Sequence, residues 1–256
     1  MSFTRTALRG LSTALLACCL NATAQIPLPR AYAVVSEVAR QVSVVSFQEG
    51  TGSRLNNNIR QRIDVPDGAL DKVFLLTAQR ALKQATPSGD IWLLAPADTD
   101  FFGFVQPSVG SSIKIPDDLL QALRERRSTH LLVFTRHRAE ADLRFINNSD
   151  GTGTLEGLGY YVDHHTKVNW VDAREVGKGY LAAYTHFRAT LVEVATQKVV
   201  ASSASTANTI SGPVGSKSGS THPWESLTPA QKMAQLRDLI DREVGRMVPD
   251  LISTKP

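Results

Sequence analysis

The chain has 256 residues, of which 42% are hydrophobic and 20% are charged. This composition is typical of a globular protein and excludes collagen-like, low-complexity and fully disordered chains. The formal net charge is +4, and it falls to +2 when Arg5 and Arg9 are set aside, leaving 28 basic residues less these two against 24 acidic ones. No dense stripe of Lys and Arg occurs, so nucleic acid is not an expected partner.

Residues 1–24 have the organisation of a secretory signal peptide. Two arginines form a basic region, and an apolar run over Leu11–Leu20 follows it. The run is too short to span a bilayer. Ala22-Thr23-Ala24 forms a small-residue cleavage site before Gln25. The sequence therefore predicts export to the periplasm, with a mature chain over 25–256.

The alternative is an outer-membrane lipoprotein anchored through Cys18, because Leu15-Leu16-Ala17-Cys18 approaches a lipobox. Cys18 and Cys19 are the two cysteines of the chain. A mature protein that begins at Gln25 has no disulfide, no thiol nucleophile and no thiolate metal site. No apolar run after residue 24 approaches the length of a membrane helix, so no transmembrane span is expected in the mature chain.

The apolar periodicity of the first half predicts alternating strands and helices. Alternating or continuous apolar runs predict strands, and a recurring apolar face predicts each helix. The expected elements are two strands within 32–48 around a turn at Ala39-Arg40-Gln41, a helix over 69–84 capped by Asp67, a short buried strand over 91–94 and a second helix from Pro116.

The second half predicts long strands and a terminal helix. The expected elements are a long strand over His130–Phe145, a turn over Asn147–Gly153, a return strand over Thr154–Val162, an irregular segment over 163–178, a hairpin of Tyr180–Val194 with Val199–Ser211, and a helix from Thr228-Pro229 to Pro249. We expect one α+β (α/β) domain over 25–256. It has a single mixed, mostly antiparallel sheet with long hairpins, and about three helices packed mainly on one face.

Three segments carry a resemblance to a known domain. Val42-Ser43-Val44-Val45-Ser46-Phe47 resembles an opening strand, residues 117–133 resemble a helix-to-strand step, and residues 189–200 resemble a hairpin with Glu193 and Gln197 where Asp and Gly are frequent. Together they resemble the periplasmic α/β domain shared by the curli-secretion channel protein, the lipoprotein activators of penicillin-binding proteins and the amino-terminal domain of TolB. The resemblance implies binding, scaffolding or assembly roles without a shared active site.

Asp163, His164 and His165 are weak candidate metal ligands. Imidazole suits zinc or copper, and an adjacent carboxylate can complete or orient such a site. A third ligand would have to come from elsewhere in the chain, with His137 and His186 as candidates. Neighbouring residues of a strand point to opposite faces, so a solvated strand end is the competing interpretation. No cofactor is predicted, and no Gly-x-Ser-x-Gly motif of a serine hydrolase is present.

A cluster of aromatic residues is the candidate binding surface. Tyr and Trp offer apolar area with a hydrogen-bonding group, a combination suited to protein or glycan recognition. The alternative is that the strand aromatics face the core. The candidate residues are Tyr160, Tyr161, Trp170, Tyr180, Tyr184 and His186.

The sequence thus predicts an exported envelope domain with a non-catalytic binding or assembly role, whose partner is an envelope protein or a cell-wall component and which can form an oligomer. The alternative is a periplasmic metal-dependent hydrolase that uses Asp163, His164 and His165.

Overall fold

A computed structural model describes residues 30–49, 57–94, 107–144, 149–170, 175–211 and 222–253. The described residues form eleven strands and three α-helices. The strands are β1 Tyr32–Ser36, β2 Gln41–Ser46, β3 Ile59–Asp64, β4 Ile91–Leu94, β5 His130–Arg136, β6 Arg138–Glu140, β7 Leu143–Arg144, β8 Ser149–Asp150, β9 Thr154–Trp170, β10 Glu175–Glu193 and β11 Lys198–Ser211, and the helices are α1 Ala69–Ala85, α2 Asp117–Glu125 and α3 Pro229–Ser253.

Nine of the strands form one mixed sheet centred on β10. On one side β10 pairs antiparallel with β11, from Leu181 to Glu193. On the other side it pairs first with β9, over 175–186, and then with β5, over 187–193. The sheet therefore has two tiers stacked along β10. We call β5, β1 and β4 the β5 tier, and β9, β2 and β3 the β9 tier.

Residues 32–46 pass from one tier to the other. β1 pairs in parallel with β5, and β2 pairs in parallel with β9, so the two strands do not pair with each other. The expected turn over 39–41 is therefore a bend that carries the chain between tiers. β4 lies on the outer side of β1, and β3 lies on the outer side of β2.

The two faces of the sheet are covered differently. Helices α1 and α3 pack together on one face, where they share a core with residues from both tiers. On the opposite face α2 covers the β5 tier, and β7 packs over the β9 tier. The predicted α+β architecture, with helices mainly on one face, is confirmed. No described helix is long and apolar enough to cross a membrane.

Two predicted strand boundaries are wrong. The expected strand over 130–145 breaks at His137, because residues 130–136 pair with β10 whereas 138–140 pair with β9. The expected irregular segment over 163–178 is largely strand, since β9 continues to Trp170 and β10 begins at Glu175.

Three smaller expectations also change. Asp67 does not cap α1: it has φ 54° within a short 3-10 turn, and the helix has no side-chain cap. The strand over 91–94 is an outer strand whose Trp92 is 38% exposed. α3 begins after the predicted cap Thr228, which exchanges hydrogen bonds with Gln231, but it continues through Pro249 to Ser253. Burial of Leu251 and Ile252 against the core stabilises that last turn.

The bend between β1 and β2 is held by Asp71 of α1. Its carboxylate accepts hydrogen bonds from the Ser36 hydroxyl, from the Val38 N–H at 3.2 Å and from the Ala39 N–H at 3.1 Å. Asp71 is 5% exposed. Burial raises the pKa of its carboxyl, and the bonds from Ser36, Ala39 and Val38 oppose that shift. One carboxylate thus satisfies two backbone donors that leave the ladder at the bend.

Replacing Asp71 should be costly because it leaves these buried donors without an acceptor. We expect Asp71→Ala to lower the free energy of unfolding by about 3 kcal/mol, and Asp71→Asn, which keeps one acceptor oxygen, by about 1 kcal/mol. Urea titration followed by circular dichroism measures both. Lys72→Ala, at the exposed neighbouring position, is the control and should stay within about 0.5 kcal/mol of the parent. A loss below 1 kcal/mol for Asp71→Ala would contradict this role.

Candidate binding site: a projecting arm

Strands β9 and β10 extend beyond their neighbours in the sheet. β2 pairs with β9 only as far as Val162, and β11 pairs with β10 only from Leu181. β9 and β10 continue to pair with each other out to Trp170 and Glu175. The described residues beyond this point therefore form a two-stranded ribbon. We call residues 164–170 and 175–179 the arm.

The arm begins at a bulge. Residues 164–166 of β9 lie opposite the single Gly179 of β10, between two regular pairs of the ladder. Gly179 has φ +83°, and a Cβ there would lie 2.6 Å from the Asp163 carbonyl oxygen. Only glycine fits this conformation and this close approach. The bulge bends the ribbon where it leaves the sheet.

The Asp163 carboxylate builds this bulge. It is 2% exposed and accepts hydrogen bonds from the His165 N–H at 2.6 Å, the Thr166 N–H at 2.8 Å and the Thr166 hydroxyl at 2.9 Å. Such local bonds from an Asp side chain to following backbone donors are an alternative to the strand ladder. Asp163 therefore holds the backbone of the arm.

The two histidines of the predicted metal site contact different neighbours. The His164 ring packs against the His222 ring, with centroids 4.5 Å apart, and His165 Nδ1 lies 3.3 Å from Glu49 Oε1. Burial lowers the pKa of His164, and the nearby His222 and His165 lower it further. Within the described ranges, no three His, Cys, Asp or Glu side chains are grouped so that they could hold a metal ion.

The suggested third ligands lie elsewhere. His137 N–H donates to the His186 carbonyl at 3.0 Å, which places both residues where the two tiers meet. His186 is opposite Gly157 in the ladder, six residues along the strand from Tyr180. At about 3.4 Å a residue, that is roughly 20 Å from the base of the arm. The structure does not bring these imidazoles to His164, so it does not support the hydrolase alternative.

The predicted aromatic binding surface is corrected by the structure. Tyr160, Tyr161, Tyr180, Tyr184 and His186 are each at most 1% exposed. Because β9 and β10 are covered on both faces, alternating side chains are buried in either direction. These five residues are core, and they cannot offer an exposed surface to a partner. The Trp170 side chain lies outside the described side chains.

The buried aromatics anchor the base of the arm. The Tyr160 hydroxyl donates to the Lys232 carbonyl at 2.5 Å, and its ring meets the Trp224 ring edge-on at 5.6 Å. Lys232 Nζ lies 4.1 Å from the centre of the Trp224 ring and donates to the Leu227 carbonyl. Sequence analysis missed Trp224 and Lys232; the available signal was an aromatic residue shortly before the cap of α3.

No protein-family model matches the chain, and no curated protein matches it. Several solved structures are similar over most of its length. Protein XCC0632 from Xanthomonas campestris, described by the family model DUF330, is 13% identical with a TM-score of 0.37, over 87% of this chain and 84% of that one. A putative neuraminyllactose-binding hemagglutinin homolog from Helicobacter pylori is 9% identical with a TM-score of 0.41, over 88% of both chains.

The PelC dodecamer from Paraburkholderia phytofirmans is 10% identical with a TM-score of 0.30, over 83% of this chain and 87% of that one. All three TM-scores lie below 0.5. These similarities therefore assign neither a family nor a function to the chain.

His186 is a buried titratable group at the junction of the tiers. Burial lowers the pKa of its imidazole to about 4, from an ordinary value of 6.5, against the opposing effect of a hydrogen bond to the Leu155 backbone. Its Nδ1 atom has no hydrogen-bond partner within the described ranges. Between these two pKa values the unfolded chain binds a proton that the folded chain does not.

The free energy of unfolding should therefore fall as the pH drops from 6.5 towards 4. A shift of this size corresponds to about 3 kcal/mol. In His186→Gln, which cannot take up a proton, we expect that part of the acid loss to disappear. Urea titrations of both proteins at pH 7 and pH 4.5 give the difference, and the exposed His165→Gln is the control. Equal pH dependence in parent and His186→Gln would contradict the buried neutral imidazole.

Proposed function

We propose that the chain is an exported domain of the bacterial envelope that binds another envelope component through the arm and has no catalytic role. The signal-like residues 1–24 support export. The sequence resemblance to periplasmic binding and assembly domains implies the same kind of role. The observation that carries the proposal is the arm, whose two edges lie beyond every described neighbouring strand.

A two-stranded ribbon on its own is only marginally stable in water. Within the described ranges, no strand pairs with either edge of the arm, so both edges are open to contact by another molecule. The Asp163 bulge and the Tyr160 anchor hold its base on a rigid sheet. A ribbon that is fixed at its base, and that no described strand flanks, is suited to contacting a partner.

Two lysines of the arm indicate which chemical groups a partner would present to it. Lys167 and Lys178 are both exposed and lie directly opposite each other in the ladder. Like charges in directly opposed positions destabilise a strand pair. Acidic groups of a partner would relieve that repulsion. The proposed partner is therefore an envelope protein with an acidic surface, and an anionic cell-wall polymer is the alternative.

Site-specific crosslinking in intact cells tests the arm. A photo-crosslinking amino acid at position 167 or 178 should capture one defined partner, whereas the same group at exposed position 72 of α1 should not. Mass spectrometry of the product identifies a protein, and muramidase digestion reveals a cell-wall polymer. Capture that is equal at all three positions would contradict a role for the arm.

A shortened arm is the matched control for folding. Because Lys167 and Lys178 are directly paired, replacing residues 168–177 with Asn-Gly joins them by a favourable two-residue turn. We expect this variant to keep the melting temperature of the parent within a few degrees. At matched expression levels, the capture of the partner from position 167 should fall at least tenfold. Undiminished capture would contradict the proposal, and so would loss of the fold.

Export makes a separate prediction. The protein recovered from a periplasmic fraction should begin at Gln25, because the cleavage site precedes that residue. Amino-terminal sequencing measures this directly. Palmitate labelling that depends on Cys18 would instead favour the lipoprotein, and an intact Met1 on protein in the cytosol would contradict export.

A further inference from the structure

The outer edge of β11 is the longest open strand edge in the described sheet. β11 has fourteen residues and pairs on its inner side with β10. Beyond Val199, its outer side makes no backbone hydrogen bond to another described segment. Ala204 and Thr206 are exposed near the middle of this stretch. No described segment thus pairs with the backbone donors and acceptors of residues 200–211 along this edge.

The first residues of this edge already pair with an antiparallel segment of the chain. Ser112 is bridged antiparallel to Lys198, the Gly110 N–H donates to the Val199 carbonyl at 2.8 Å, and the Val199 N–H donates to the Ser111 carbonyl at 2.9 Å. No described residue before 110 continues this pairing. The edge therefore has the geometry for strand addition, and among the described segments residues 110–112 pair with it at Lys198 and Val199.

The other outer strands are protected against strand addition. β3 carries Arg60, Arg62 and Asp64 among its six residues. β4 has four residues, and the Arg126 guanidinium lies 4.0 Å from the centre of its Trp92 ring. Charged and short strands are the usual means of preventing edge-to-edge pairing. β11 lacks both features, since no residue from Val199 to Ser211 is charged.

We propose that β11 pairs antiparallel with β11 of a second copy, with the two-fold axis near Thr206. In such a pair each residue lies opposite a residue of the same strand, so any charge near the axis would face its own kind. A run of thirteen uncharged residues meets this condition. The Ser, Ala and Thr side chains around Thr206 are small enough for two strands to approach closely.

The groove beside β11 is consistent with this arrangement. A cavity of about 220 Å³ lies between residues 200–203 of β11 and Arg246, Met247 and Asp250 of α3. An axis near Thr206 places the far end of the second strand, around residues 209–211, against the near end of the first. Thr209, Ile210 and Ser211 at that end combine hydroxyl and apolar groups, as the lining of the cavity does.

A charge at the axis tests the pairing. The parent chain should be a dimer in sedimentation equilibrium at concentrations on the order of 50 µM. Thr206→Lys, which places two ammonium groups opposite each other, should raise the dimer dissociation constant at least tenfold without changing the melting behaviour of the monomer. Ala195→Lys, in the exposed turn before β11, is the control and should remain dimeric. A monomeric parent, or a Thr206→Lys dimer of undiminished affinity, would overturn the proposal.

Disulfide trapping tests the register. In a chain with Cys18→Ser and Cys19→Ser, we expect Thr206→Cys to form a disulfide-linked dimer on mild oxidation, because directly opposed Cβ atoms are about 5 Å apart. Arg62→Cys on the edge of β3 should form no disulfide-linked dimer. Equal trapping at both positions would overturn the assigned edge. The variant with residues 168–177 replaced should still dimerise, so this test succeeds or fails independently of the arm.

Discussion

The fold depends on one buried carboxylate at the point where a strand changes partners. The chain leaves β1 at Ser36 and enters β2 at Gln41, and in between Val38 and Ala39 have no strand opposite their N–H groups. Asp71 accepts both donors from the adjoining helix. Without an acceptor, each buried donor would cost of order 1–3 kcal/mol. This interaction lets residues 32–46 contribute one strand to each tier. β9 and β5 can then lie end to end along β10.

Stacked tiers explain why one hairpin projects. β10 must be long enough to pair with both β9 and β5, and its pairing with β9 continues past the ends of β2 and β11. The same length gives β11 an extended outer edge. The arm and this edge differ in chemistry, since the arm carries opposed lysines whereas β11 is uncharged after its first residue. Under the two proposals, the arm would use its opposed lysines to contact a foreign partner, and β11 would use its uncharged edge to pair with a second copy.

Local patterns predicted much of this fold. The apolar stripes of α1 and α3 and the hairpin of β10 with β11 follow from periodicity, because they depend on residues close in the chain. The arm was missed because residues 163–170 are polar and a bulge interrupts their alternation. The role of Asp71 was missed because its partners lie 32–35 residues away. The tyrosines were misassigned because a strand covered on both faces has no polar side to reveal its orientation.

Native-state hydrogen exchange tests the central role of Asp71 most directly. If the carboxylate holds the bend, the amides of Val38 and Ala39 exchange only through global unfolding, with the same free energy as the central amides of β10. Amides of the arm, such as those of Lys167 and Lys178, exchange through local opening and so provide an internal comparison. Exchange at Val38 and Ala39 as fast as in the arm would show that the bend opens independently, and the two tiers would then not form a single cooperative sheet.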